Sequence, residues 1–278
     1  MKLIKPSVKI IKQEEYDLNH IFKFIELAGR TCYKSEDKIT EDSAKEFVDR
    51  MIKSGHGAML EHGTVYLTIP NKNVSRSLLI YNYEMNPYSK VIWTNDNVYI
   101  TTNYRVIIEN NWNDLLKYIT APTEFHIKRT TVKFICDRGV SHEFVRHRVF
   151  SFAQESTRYC NYTKDKFNNE LTFIIPCWFK WDEQTIHQGD FEKSGSGSED
   201  SGLYINSLLN SEQCYKYLIK EGWKPQDARA ILPSSLKTEL IMTGFNSDYQ
   251  HFFKLRCAPN AHPQAKELAD MLKDKFNK

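Results

Sequence analysis

From residue 143 to residue 159 the chain reads Glu-Phe-Val-Arg-His-Arg-Val-Phe-Ser-Phe-Ala-Gln-Glu-Ser-Thr-Arg-Tyr. The guanidinium groups of Arg146, Arg148 and Arg158 alternate here with the hydroxyls of Ser151, Ser156 and Thr157. Guanidinium forks bind phosphate bidentately and hydroxyls add shorter-range donors, so the segment suits phosphorylated ligands and is long enough to serve two. His147 stands between two cations, which favours its neutral form. The same residue types also make a surface basic patch or a web of structural ion pairs. They further suit a single-stranded nucleic-acid surface, with Phe150, Phe152 and Tyr159 stacking bases while the arginines follow phosphates. A net charge of only +3, with no long basic stripe, speaks against that last use. The order itself, Arg-His-Arg, seven residues, Ser, then Arg two further on, is much rarer than a basic patch.

These side chains need a scaffold, and hydrophobic periodicity outlines one. Residues 14–28 place Leu18, Ile21, Phe22 and Ile25 on one helical stripe. A second helix is predicted to start at Thr40 as N-cap, turn Ala44, Phe47, Val48 and Met51 inward, and stop at Gly55. Residues 65–69 read as a strand ending at Pro70. Residues 71–128 are expected to be an insertion between core elements, with β-prone runs at 91–93 and 98–102 and an amphipathic piece at 112–119. A strand at 130–136 leads into a turn at Asp137-Arg138-Gly139, after which Ser141 caps a short helix that delivers the arginine cluster. Further strands are predicted at 171–175 and 237–243, and helices at 207–220, 247–257 and from Pro263 onward. Residues 188–202 are Gly, Ser and acid rich, centred on Ser194-Gly195-Ser196-Gly197-Ser198, and read as a flexible, solvated loop. There is no regular βαβ alternation and no Gly-rich first turn, so neither a Rossmann domain nor a P-loop is indicated.

Composition narrows the class. A hydrophobic fraction of 41% and a charged fraction of 26% are those of a globular protein able to bury a substantial core. None of the six cysteines forms a Cys-x-x-Cys pair, so zinc-ribbon and thioredoxin readings lose their support and no metal is expected. No apolar run is long enough for a membrane span. The opening Met-Lys-Leu-Ile-Lys-Pro lacks a signal-peptide pattern, so a reduced, cytoplasmic setting is expected.

Arg146-His147-Arg148 with Ser156 resembles the signature of the flavin-dependent thymidylate synthases, Arg-His-Arg, seven residues, Ser. Three other elements are similar to that family's in the same order: Glu61-His62-Gly63-Thr64, Ala228-Arg229-Ala230-Ile231-Leu232-Pro233, and His251 to Arg256. The resemblance implies an α+β fold, with a mixed or antiparallel sheet and packed helices, in a single domain assembled as a homotetramer with shared active sites. It implies conversion of dUMP to dTMP with FAD, NADPH and methylenetetrahydrofolate, and no nucleic-acid or membrane partner. By the same resemblance His62, Thr64, Arg146, His147, Arg148, Gln154 and His251 are expected at the FAD. Glu143, Arg146, Gln154, Glu155, Ser156, Thr157 and Arg158 are expected at dUMP, with Arg229 reaching it from another subunit. Arg256 is the expected catalytic residue, its guanidinium facing the uracil edge and stabilising the deprotonated ring.

Some positions depart from the family pattern. Gln154 replaces a common Glu, and Glu143 stands where Gln is common. Phe245 and Ser247 occupy positions where the family often has Asn and Arg, so a flavin-binding scaffold without turnover is the other reading to separate. Cys32, where a serine is frequent, reads as a small buried residue rather than a catalytic thiol.

Overall fold

The computed structural model describes residues 1–73, 78–187 and 199–277, folded into three small sheets with helices packed against them. The central sheet is four-stranded and antiparallel, in the order β2 (Ser7–Ile11), β6 (Arg129–Asp137), β10 (Lys237–Phe245) and β7 (Ser151–Gln154). β10 is buried almost throughout because both of its faces are covered. Side chains alternate across a strand, so Leu240 and Met242 point one way and Ile241 the other. Leu240 and Met242 meet Phe134, Phe144 and Phe252 beneath three helices, α5 (Arg138–Phe144), α8 (Asn246–Arg256) and α9 (Pro263–Phe276). Ile241 meets Ala153 and Ala28, the last on α1 (Leu18–Tyr33), which covers the opposite face. Each large apolar side chain enclosed in this way contributes about 1.5–3 kcal/mol.

The helix carrying Glu143 starts earlier than the sequence suggests. Asp137, expected in a turn, is the N-cap of α5: its Oδ1 accepts from Val140 N at 2.8 Å and its Oδ2 from Gln264 Nε2 at 3.0 Å. Ser141, expected as the cap, is buried within the helix, its hydroxyl donating to the Arg138 carbonyl at 2.9 Å. The second helix likewise starts later than Thr40. α2 (Ser43–Lys53) has Asp42 at its N-cap, and the Thr40 amide donates to Ser43 Oγ at 2.9 Å.

The described residues between 71 and 128 carry regular elements that join the core. They contain α3 (Leu78–Met85), α4 (Tyr104–Glu109) and two strands, β4 (Lys90–Trp93) and β5 (Asn97–Asn103), which pair with β3 (Thr64–Pro70) in the order β3-β5-β4. Val98 and Ile100 of β5, together with Ile80 and Tyr83, close a core begun by Ile21 and Ile25 of α1 and by Phe47 and Val48 of α2.

In the third sheet β1 (Lys2–Ile4) pairs parallel with β8 (Thr172–Ile174) and antiparallel with β9 (Gln184–Thr185). It packs against α6 (Glu199–Lys220) through Leu3, Phe173, Ile205 and Leu208, and the short α7 (Pro225–Ala228) follows. Of the loop expected at 188–202, residues 188–198 lie outside the described residues. Residues 199–202 belong to α6, which begins before the expected residue 207 because Ile205 and Leu208 already anchor that end in a core. Among the described residues no helix is long and apolar enough to cross a membrane.

Candidate active site

Past the end of α5 the backbone closes a tight turn. The His147 amide donates to Phe144 O at 3.0 Å, the Arg148 amide to Arg146 O at 3.0 Å, and the Phe150 amide to His147 O at 3.1 Å. This turn sends alternate side chains in opposite directions. His147 goes inward, 7% exposed, against the rings of Phe252 and Phe150. Arg146 and Arg148 go outward, and neither has a side-chain partner among the described residues.

α8 carries Arg256 to the same place. Its Nε donates to His147 Nε2 at 2.9 Å, its Nη2 to the Glu143 carbonyl at 2.6 Å, and its Nη1 pairs with the Glu143 carboxylate. An acceptor at Nε2 puts the ring proton of His147 on Nδ1. Burial, then the charges of Arg256 and His251, lower the His147 pKa to about 4, so the ring is neutral. The expected neutrality holds, but its causes are burial and α8 rather than the flanking arginines, which point to solvent. His251 is exposed, with its ring centroid 6.3 Å from that of His147.

The second half of the motif lies beyond β7. Gln154 Nε2 donates to Ser141 Oγ at 2.8 Å and Thr238 Oγ1 at 3.2 Å, so its amide ties β7 to α5 and β10. Glu155 is turned inward, 1% exposed, where it accepts from Lys237 Nζ at 2.8 Å and Tyr162 OH at 3.1 Å. Lys237 also reaches Glu239, which binds Lys34 at 2.9 Å and Lys133 at 2.5 Å. Burial disfavours the Glu239 charge, yet these lysines outweigh it and hold the carboxyl well below its usual range. The Ser156 amide donates to Cys32 O at 2.9 Å in the last turn of α1, and its Oγ accepts from the Arg158 amide at 3.3 Å. Thr157 Oγ1 accepts from Arg229 Nη1 at 3.3 Å, and Arg158 Nε donates to Gln226 Oε1 at 3.3 Å. Within its own chain, Arg229 lies beside this loop.

The third group sits where β3 meets the central sheet. His62 is wholly buried, with Nδ1 2.8 Å from Thr243 Oγ1. Burial, with Arg129 nearby, lowers its pKa to about 3. Thr64 Oγ1 accepts from Arg129 Nη1 at 3.2 Å, and the Arg129 guanidinium stands 5.6 Å from the Phe245 ring centroid. The fold therefore joins Glu143, His147, His251 and Arg256 in one cluster. It joins Ser156, Thr157, Arg158 and Arg229 in a second, and His62 with Thr64 in a third.

Sequence reasoning overlooked Arg129 and the buried network of Lys34, Lys133, Tyr162, Lys237 and Glu239. The one signal for that network was Lys237-Thr238-Glu239, whose alternation places two opposite charges on one face of a strand that is otherwise apolar.

Comparison with known proteins decides the family. The family model described as thymidylate synthase complementing protein matches residues 95–278. A flavin-dependent thymidylate synthase from Pyrococcus furiosus is 30% identical over 198 residues, 68% of this chain and 74% of that protein. The chain belongs to the flavin-dependent thymidylate synthase family. A second member, from Corynebacterium aurimucosum, is 23% identical over 252 residues, 88% of this chain and 71% of its own length. A third, from Pyrococcus abyssi, is 31% identical over 134 residues, 48% of each chain. A solved structure, the UMP/dUMP methylase PolB from Streptomyces cacaoi bound with 5-Br dUMP, aligns over 99% of this chain and 92% of that one, at 16% identity and a TM-score of 0.44. The stretch matched by the family model contains both arginine clusters and Arg256, whereas His62 and Thr64 fall before it.

Proposed function

We propose that this member of the family reductively methylates dUMP to dTMP in dTMP biosynthesis, with methylenetetrahydrofolate as one-carbon donor, FAD as hydride carrier and NADPH as reductant. The observation that carries this reading is the junction of Arg256 Nε with His147 Nε2, which brings the late helix onto the Arg-His-Arg element across 109 positions of sequence. Arg146 and Arg148 suit a diphosphate because their outward guanidinium groups are unclaimed by side chains among the described residues. Bound there, FAD would supply the hydride. The chain's own part is to bind, orient and polarise. His147, neutral and fixed in one tautomer, holds Arg256 in place; Arg256 places a fixed positive charge against the uracil edge, where negative charge develops. Ser156, Thr157, Arg158 and Arg229 supply hydroxyl and guanidinium donors for the dUMP phosphate.

The same reading includes a homotetramer whose sites are shared between subunits. Ser156 is hydrogen bonded to α1 on one face of the central sheet, whereas Arg256 ends the helix packed on the other. A single chain therefore offers its two halves in different directions.

The test is a flavin absorption spectrum of the purified protein with and without dUMP, followed by tritium release from ring-tritiated dUMP. The expected result is a yellow protein whose spectrum shifts with dUMP and which releases tritium only with NADPH and methylenetetrahydrofolate present. A colourless protein that binds RNA in a salt-dependent way would overturn the proposal. A yellow one that never releases tritium would leave a binding scaffold.

A further inference from the structure

A pocket of about 230 Å³ opens at the seam between the central sheet and β3. Its wall includes Lys12, Gln13, Tyr16, Thr64, Arg129 and Thr131, and no acidic side chain lines it. Two cations, an amide and several hydroxyls therefore face one small space with no counter-charge in its wall. We propose that this pocket binds a phosphoryl group.

Arg129 carries the argument. Its Nη1 and Nη2 donate to the Glu61 carbonyl, each at 3.2 Å, which fixes the guanidinium plane. Its Nε is buried and has no acceptor. Glu61 and Asp248 act on it electrostatically, but neither carboxylate comes within ion-pair distance, and Glu61 is paired with Arg105 at 2.6 Å. Buried donors in folded proteins are nearly always satisfied, and a buried cation is normally paired. Nη2 spends only one of its two N–H groups on the Glu61 carbonyl, and Arg129 stays partly exposed where it lines the pocket, so one guanidinium donor remains to receive an acceptor from outside. Lys12 stands exposed at the rim with no ion-pair partner among the described residues, and adds a second positive charge. Thr64 Oγ1 already accepts from Arg129, so its own proton is available for an anionic oxygen. A tetrahedral phosphoryl group has the acceptor count and the charge that this wall lacks. Only Thr64 is shared with the FAD residues that the family resemblance implies, and the pocket's chemistry does not depend on whether dUMP is methylated.

The experiment is calorimetric titration of inorganic phosphate, against a chloride control, into the full chain both flavin-loaded and flavin-stripped. Saturable binding is expected, weakened about tenfold by Arg129→Gln and by Lys12→Glu, since each removes one charge-assisted contact. Lys12 is a surface position, so Lys12→Glu decides the matter if Arg129→Gln fails to fold. Binding to the stripped form alone assigns the pocket to the diphosphate of the flavin cofactor, in place of Arg146 and Arg148. Binding to both forms with competition by NADPH assigns it to the nicotinamide nucleotide, and binding to both without competition assigns it to a free phosphate. Absence of saturable binding to either form, or affinity unchanged in Lys12→Glu, overturns the proposal, because such phosphate sits elsewhere.

Discussion

Arg256 commits its Nε to His147, its Nη2 to the Glu143 carbonyl and its Nη1 to the Glu143 carboxylate, leaving about two of its N–H donors for anything else. If those remaining donors serve the uracil ring, Arg256→Ala should lower tritium release by at least about a hundredfold, the usual cost of removing a preorganised charge-stabilising donor. Flavin absorbance should survive, since Arg146 and Arg148 lie elsewhere; turnover near the wild-type rate would refute the role. Glu143 brings an opposing charge to the same place, with a side chain that is 38% exposed. Glu143→Gln keeps an acceptor for Arg256 while removing a negative charge that, on the proposed reading, faces an anionic nucleotide. The dissociation constant for dUMP, read from the flavin spectrum, should fall about threefold, the scale of a partly exposed charge pair. A rise instead would mean that the carboxylate is needed to hold Arg256. At this scale the sequence disclosed which residues to look at, because Arg-His-Arg and Ser156 form an ordered pattern. It did not disclose that both the Gln154 amide and the Glu155 carboxylate bond within the fold, because only tertiary packing supplies their partners, Ser141 and Thr238 for the one and Lys237 and Tyr162 for the other.

Elements were legible wherever a stripe of apolar residues repeats. The helix at residue 18, the last helix from Pro263 and the strand beginning at Lys237 all follow from periodicity. Ends were less legible, since they depend on one hydrogen bond: Asp137 rather than Ser141 caps α5. The β-prone runs at 91–93 and 98–102 did mark β4 and β5, but their partner was not legible, because β5 is specified by pairing with β3 at a distance in sequence. The ion network beneath Ser156 is also an element-scale property, tying β10 and β6 to α1's C-cap, Lys34, and to the loop that bears Ser156. Lys237 and Glu155 are both largely buried, at 15% and 1% exposure of their side chains. Lys237→Met should therefore strand a buried carboxylate and cost about 3–5 kcal/mol in denaturant unfolding. A loss below about 1 kcal/mol would show that the pair is not isolated from water. Because Glu155 adjoins Ser156, the variant should also weaken dUMP more than FAD.

Over the whole molecule two consequences remain, one of pH and one of assembly. His62 and His147 have pKa values lowered to about 3 and about 4 by burial first, against an ordinary 6.5. Below 6.5 the unfolded chain takes up protons that the folded chain refuses, so their contribution is intact above that pH and is lost as pH falls toward 4. Melting temperatures by calorimetry should drop through this window, and His147→Asn should drop less; parallel curves would remove His147 from the account. The proposed assembly is argued from the central sheet. Ser156 bonds to α1 on one of its faces and Arg256 ends the helix on the other, with β7 between them. On the proposed reading a site that needs both groups is completed by a neighbouring chain, and this can be tested without a structure of the oligomer. Arg256→Ala and Ser156→Ala should each be inactive alone. Unfolded together in equal amounts and refolded, they should recover about a quarter of wild-type activity, since each shared site draws its two halves independently and one pairing in four is intact. No recovery, with mixed oligomers demonstrated by mass, would mean that both groups act within one chain and that the loop bearing Ser156 must swing around the edge strand to reach Arg256.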